Sequence, residues 1–198
     1  MMTATVKRVR QELEDASSLL ALMCKDEALS TTIASIANLC IEALQTGKKI
    51  LLAGNGGSAA DAQHIAGELV SRFAFDRPGL PAIALTTDTS ILTAIGNDYG
   101  YTQLFARQVQ ALGQVGDVLI AYSTSGQSPN IVEALSQAQQ KGLKTVGFTG
   151  NRKGPMVRLC DICLEIPSPS TPKIQEGHLV AGHIVCGLIE DAIFGQGK

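Results

Sequence analysis

Apolar residues in the first 46 positions recur every three to four residues. Leu19, Leu20, Leu22 and Met23 are followed by Ile33, Ile36, Ala37, Leu39, Ile41 and Leu44. That spacing predicts two helices over 3–46, meeting near Lys25-Asp26-Glu27, with no strand among them. Packing against another subunit and packing on the protein's own sheet both fit the pattern. From Lys49 the pattern changes: short apolar runs without polar alternation, such as Ile50–Ala53, alternate with amphipathic stretches. They predict strands over 49–54, 81–86, 117–122, 144–149 and 161–166. Helices are predicted over 58–72, 90–96, 101–112, 129–141, 153–159 and 172–194. Strands that are apolar on both faces belong in a parallel sheet covered on both sides. The expected fold is α/β, a doubly wound, mainly five-stranded parallel sheet over 47–198 with an N-terminal helical extension over 1–46. Such sheets bind ligands at the carboxyl ends of their strands, near the point where strand order reverses.

Two predicted strand ends carry chemistry. After the first strand comes Gly54-Asn55-Gly56-Gly57-Ser58, and a helix follows at once. Free backbone N–H groups and the helix dipole at such a junction favour an anion, most often a phosphate. The turn falls short of G-x-G-x-x-G because Ala59 holds the third glycine's place, and no G-x-x-x-x-G-K-[ST] occurs, so dinucleotide and nucleoside-triphosphate sites are poor fits. After the third strand comes Ser123-Thr124-Ser125-Gly126-Gln127-Ser128-Pro129-Asn130. Pro129 suits the first position of a helix and Ser128 its N-cap. Four hydroxyls at a second strand end of the same sheet favour a phosphate site over a plain capped turn. A third segment, Gly96-Asn97-Asp98-Tyr99-Gly100, reads equally as a turn or as a loop presenting Asn97 and Asp98 to sugar hydroxyls.

His64 and Glu68 stand four residues apart on the helix that begins at the first loop, so they share one face. His183 lies in LVAGHIVCGLI, a helical stretch without charge, which predicts a buried imidazole in need of a partner. Gln175, Glu176 and His178 gather earlier on that helix. If the two helices converge, His64, Glu68 and His183 offer imidazole and carboxylate donors to a divalent metal such as zinc.

Composition narrows the field. The chain has 198 residues, 45% of them hydrophobic, which suits one α/β domain. A net charge of -2 and scattered cations, Arg107, Lys141, Lys144, Arg152 and Lys153 among them, argue against a nucleic-acid surface. The charged N-terminus and the short uncharged stretch Leu179 to Ile189 predict no leader and no membrane span, hence a cytoplasmic protein. Five cysteines include one C-x-x-C, Cys160 to Cys163, in RLCDICLEIP. With no second pair, it reads as entry into a buried strand.

GNGGSAADAQH with Glu68, then GND, STSGQSPN and IQEGHLVAGH resemble the sugar isomerase (SIS) family, in order and spacing and over essentially the whole chain. Within that family the closer likeness is to the bacterial enzymes of heptose phosphates. The resemblance implies one flavodoxin-like SIS domain over 1–198, acting as an aldose–ketose isomerase on sedoheptulose 7-phosphate. It implies Glu68 as general base and His183 as general acid. Substrate contacts fall on Asn55, Gly56, Gly57, Ser58, Glu68, Asn97, Asp98, Ser123, Thr124, Ser125, Ser128 and Gln175. It further implies a zinc site of His64, Glu68, Gln175 and His183, and a homotetramer with active sites at subunit interfaces. A non-catalytic SIS adaptor that binds a replication-initiator protein shares the fold. An adaptor has no chemical need to hold His64, Glu68 and His183, so their presence favours the enzyme.

Overall fold

Asp26 divides the N-terminal helical region. It ends helix α1 (Ala4–Lys25), and its side chain accepts a 3.0 Å bond from the Leu29 N–H to cap α2 (Glu27–Gln45). The computed structural model describes residues 3–152 and 154–195. Five parallel strands follow the helices: β1 (Ile50–Ala53), β2 (Ala82–Ala84), β3 (Val118–Ser123), β4 (Lys144–Gly150) and β5 (Ile162–Ile166). Their spatial order is β2-β1-β3-β4-β5, so the order reverses between β1 and β3. Ala53 pairs with Ala121 in that register, which places the carboxyl ends of the two strands side by side.

Side chains alternate between two cores, as strand geometry demands. Ile50, Leu52, Val118, Ile120, Tyr122, Val146 and Phe148 face α1, α2, α3 (Gly57–Val70) and α7 (Thr171–Phe194). Leu51, Ala53, Leu119 and Ala121 face α4 (Thr89–Tyr99), α5 (Ala106–Leu112) and α6 (Pro129–Gln140). The doubly wound sheet expected from the apolar runs is therefore present, with strand bounds within two residues. By length and composition α7 alone among the described helices would cross a membrane, but its stripe of Ile174, His178, Ala181, Val185 and Ile189 is buried in the core.

Three local expectations need correction. The segment 96–100 is no loop: α4 runs on to Tyr99, and Gly100, at φ +81, ends it. Gly96 stays helical, because a single interior glycine costs only about 1 kcal/mol. The helix predicted over 101–112 is a 3-10 turn, Tyr101–Gln103, followed by the shorter α5. The one predicted over 153–159 is a single 3-10 turn, Pro155–Arg158; Lys153 lies outside the described residues.

A buried ion pair ties the end of α3 to α7. Glu190 accepts bonds from the N–H groups of Phe73 (2.9 Å) and Ala74 (2.7 Å) and from Arg77 Nε (2.9 Å). The guanidinium also donates to the carbonyls of Glu68 (2.9 Å), Leu69 (2.7 Å), Ser71 and Pro78. It thereby adds donors to the last turn of α3, whose Leu69 carbonyl also accepts from the Leu80 N–H. Burial alone would raise the Glu190 carboxyl, but the two N–H donors and Arg77 outweigh it and hold the group below its ordinary value of 4.5. Glu190→Gln leaves Arg77 buried without its counter-charge, and should destabilise the fold by about 3 kcal/mol. Urea unfolding checks this as a lower midpoint at unchanged slope. A depressed carboxyl contributes stability that is complete above its unfolded value and is lost as pH falls through its native one. The parent chain should therefore lose stability below pH 4.5 more steeply than Glu190→Gln does.

Candidate active site at the carboxyl edge of the sheet

The strand-order reversal brings the glycine turn and the serine loop together. Gly54 has no room for a side chain: a β-carbon there would lie 2.3 Å from the Ser58 carbonyl oxygen. Gly56, at φ +57, turns the chain into α3, whose N-terminus has no side-chain cap. On the neighbouring strand Ser128 occupies the N-cap of α6 as expected. Its hydroxyl, however, meets the Ser123 hydroxyl at 3.0 Å instead of capping the helix. By contrast α1, α2 and α4 are capped by Thr3, Asp26 and Asp88. The helices that follow β1 and β3, like α5 and α7, begin without a side-chain cap, and Ser123, Thr124, Ser125 and Ser128 add hydroxyls beside α6.

A reciprocal amide pair fastens the two loops. Asn55 Nδ2 donates to Asn130 Oδ1 at 2.9 Å, and Asn130 Nδ2 returns a bond to Asn55 Oδ1 at 2.8 Å. The Tyr101 hydroxyl donates to the same Asn55 oxygen at 2.8 Å. Asn130 and Tyr101 were not among the expected site residues. The signal for Asn130 was its place at the first turn of α6, next to Pro129.

α3 and α7 lie side by side in matched register. A β-carbon on Gly57 would meet Gln175 Nε2 at 2.6 Å, one on Gly182 would meet Ile65 Cδ1 at 2.7 Å, and one on Gly187 would meet Phe73 at 3.3 Å. That close packing brings His64 Nε2 to 2.7 Å from His183 Nε2 and 3.4 Å from Glu68 Oε1. The Phe73 ring stands 5.7 Å from that of His183. Asp61, one turn before His64, faces the same region. Burial raises its carboxyl above the ordinary value, against the opposing effect of His64. The i, i+3 spacing to His64 was a signal for Asp61 that went unused.

The histidine assignment on α7 needs correction. His178, not His183, is the fully buried one, and its Nε2–H donates to the Thr149 carbonyl at 3.2 Å. Burial pushes it down to about 4, against the raising effect of that hydrogen bond, so it is neutral at pH 7. His183 is half-buried at the edge of the core. Asn97 and Asp98 are exposed on the last turn of α4 and bond each other at 2.7 Å. Gln175 sits beside Gly57, two helical turns (about 12 Å along the axis) before His183.

The convergent donor set suits a divalent cation. The ligand atoms of His64, Glu68 and His183 all lie within 4.8 Å of one another. A tetrahedral zinc site with bonds of about 2.1 Å spaces its donors roughly 3.4 Å apart. Two imidazoles and one carboxylate are also the usual chemistry for such an ion.

Known proteins share this fold and much of this sequence. A family model described as the SIS domain matches residues 2–150. A phosphoheptose isomerase of Burkholderia pseudomallei is 66% identical over 188 residues, 95% of each chain. One from Aneurinibacillus thermoaerophilus is 58% identical over 186 residues, 94% of each chain. Among solved structures, a phosphoheptose isomerase from Neisseria gonorrhoeae is 39% identical with a TM-score of 0.89, covering 95% of this chain and 100% of that one. Its counterpart from Francisella tularensis is 37% identical with a TM-score of 0.91, covering 96% and 100%.

Calorimetric titration of the metal-stripped chain with zinc should give one ion per chain. His64→Ala and His183→Ala should each weaken binding by about 100-fold or more, since each removes one of three donors. Undiminished affinity in both variants would place the ion elsewhere.

Proposed function

The chain belongs to the SIS-domain family and is an aldose–ketose isomerase, and we propose that it interconverts sedoheptulose 7-phosphate and D-glycero-D-manno-heptose 7-phosphate. The observation that carries this reading is the meeting of His64, Glu68 and His183 on two helices, one of which begins at the uncapped glycine turn. The N–H groups of Gly56 and Gly57, with Ser58, Ser123, Thr124, Ser125 and Ser128, hold the phosphate. Asn55, Gln175, Asn97 and Asp98 serve the sugar hydroxyls. Asn55 arrives already oriented by Asn130 and Tyr101.

Moving the carbonyl from C2 to C1 requires one proton to leave C1 and one to reach C2. The Glu68 carboxylate takes the C1 proton, which leaves an enediolate across C1 and C2. His183 returns a proton to C2 from the other side. The O1 hydroxyl gives up its proton and O2 gains one, which completes the aldose. A divalent ion, zinc in our reading, held by His64, Glu68 and His183 with Gln175 as candidate fourth donor, would supply stabilisation of the negative charge on the C1 and C2 oxygens. Phe73 covers one side of His183 and keeps water from that face.

We assign the product to the first step of nucleotide-activated heptose synthesis for lipopolysaccharide or capsule, and the enzyme to the cytoplasm. Five cysteines without a disulfide support that compartment. We further propose a homotetramer with active sites at subunit interfaces. Val6, Val9 and Leu13 on α1 and Ile184 and Leu188 on α7 are exposed and apolar, and His183 borders the α7 pair.

Incubation with sedoheptulose 7-phosphate and zinc should yield the aldoheptose 7-phosphate, and a chelator should suppress it. Glu68→Gln should cut kcat by roughly 100-fold or more while substrate still binds. Absence of product from the zinc-loaded chain would overturn the assignment, and full turnover by Glu68→Gln would remove Glu68 as the base.

A further inference from the structure

Behind the serine loop, on the face of the sheet opposite α7, two thiols share one small space. Cys163 lies in β5 opposite Gly147 of β4, and Cys160 just precedes the strand. A β-carbon on Gly147 would stand 2.7 Å from Cys160 Sγ and 3.0 Å from Cys163 Sγ. The two sulphurs therefore occupy the volume that any side chain at 147 would need, and they lie against each other. A hydrogen bond from the Cys160 thiol lowers Cys163 below the ordinary thiol value, although burial and Glu165 oppose this. Both cysteines are half-buried and unpaired. Cys40 and Cys186, by contrast, are sealed in the opposite core and pushed up to about 12 by burial, and Cys24 is exposed on α1.

We propose that Cys160 and Cys163 form a reversible dithiol–disulfide site that a small glutathione-type disulfide oxidises. The Cys163 thiolate attacks one sulphur of the small disulfide and expels one thiolate, leaving a mixed disulfide on Cys163. Cys160 then loses its proton, attacks the Cys163 sulphur and releases the second small thiol. The protein dithiol gives up two electrons and two protons, and the small disulfide takes up both to become two thiols.

The site is wired to the phosphate loop. Cys160 follows the 3-10 turn Pro155–Arg158, in which the Met156 N–H donates to the Gly126 carbonyl at 3.2 Å. Gly154 is packed so tightly there that a β-carbon on it would lie 2.2 Å from the Gly126 oxygen. Gly126, at φ +66, is the turning point of the serine loop. Drawing the sulphurs to about 2 Å pulls on the segment that braces Gly126, so oxidation loosens the grip on phosphate. This consequence rests on the phosphate role assigned above; the disulfide does not.

The test treats the full-length reduced chain with excess oxidised glutathione, blocks remaining thiols by alkylation and maps the peptides by mass. The expected product has lost two hydrogens, carries a Cys160–Cys163 link and reverts with dithiothreitol. Cys160→Ser should trap glutathione on Cys163. KM for sedoheptulose 7-phosphate should rise about five-fold with kcat little changed, the lower end of ordinary coupling between sites. The Cys160→Ser/Cys163→Ser double variant should show no such rise. Full alkylation of Cys160 and Cys163 after oxidant, or glutathione on Cys24 alone, would overturn the site; a mapped disulfide with unchanged KM would overturn its link to the loop. Peptide mapping needs no turnover, so an inactive reduced chain would count against the isomerase assignment and leave the thiol result standing.

Discussion

The active constellation depends on a buried ion pair that takes no part in the chemistry. Glu190 and Arg77, both almost wholly buried, hold the C-terminus of α3 against α7. The Arg77 guanidinium donates directly to the carbonyl oxygen of Glu68, the residue assigned as base. Glu190 lies two turns along α7 from His183, so one clamp fixes both partners of the His64–Glu68–His183 cluster. A hydrophobic contact would join the helices but would not set their register. The fork of donors and acceptors does, because each bond has a direction. The arrangement caps the last turn of α3 with a cation whose charge is already neutralised by Glu190, so no net positive charge is added beside Glu68.

Register also needs close approach, and small residues provide it. Gly57 and Gly182 are spaced along the contact between α3 and α7, each at a point where a side chain would collide with the other helix, and Gly187 packs closely against Phe73 just beyond α3. A methyl at Gly182 would press on Ile65 and displace His64 next to it. The clamp at one end and the glycines along the contact thus act on the same quantity, the distance between His64 and His183. A metal site tolerates little error there, since its bonds to donors are fixed to a few tenths of an ångström.

The sheet and its ligand edge were legible because they follow from local physics. Unbroken apolar runs such as ILLA and VLIAY admit a strand buried on both sides and little else, and glycine turns mark where those strands end. The pair His64 and Glu68 was legible from helical spacing alone. The burial of His183 was misjudged because absence of charge was read as burial on most sides. The stripe Ile174, His178, Ala181, Val185 and Ile189 follows the helical repeat and points His178 inward, whereas His183 falls beside it. Asn130 and Tyr101 were harder, because their bonds to Asn55 span 75 and 46 residues and depend on the order of strands rather than on any local pattern. The Glu190–Arg77 clamp is hidden for the same reason: its partners are 113 residues apart.

The two ends of the site use opposite electrostatic means. The loops over 54–58 and 123–128 contain no lysine or arginine, so in the proposed site these loops offer a phosphate N–H groups, hydroxyls and helix dipoles. Such donors are individually weaker than a cation but fixed in direction, which positions a ligand better than a mobile ammonium does. The proposed cation donors stand further along the same helix: from Gly57 to His64 the axis advances about 10 Å. A ligand gripped at both ends must carry its phosphate and its reacting carbonyl far apart. In the proposed function a ketose with its carbonyl at C2 and its phosphate at C7 supplies that separation, which the pitch of α3 and the clamp that keeps α7 alongside it would set.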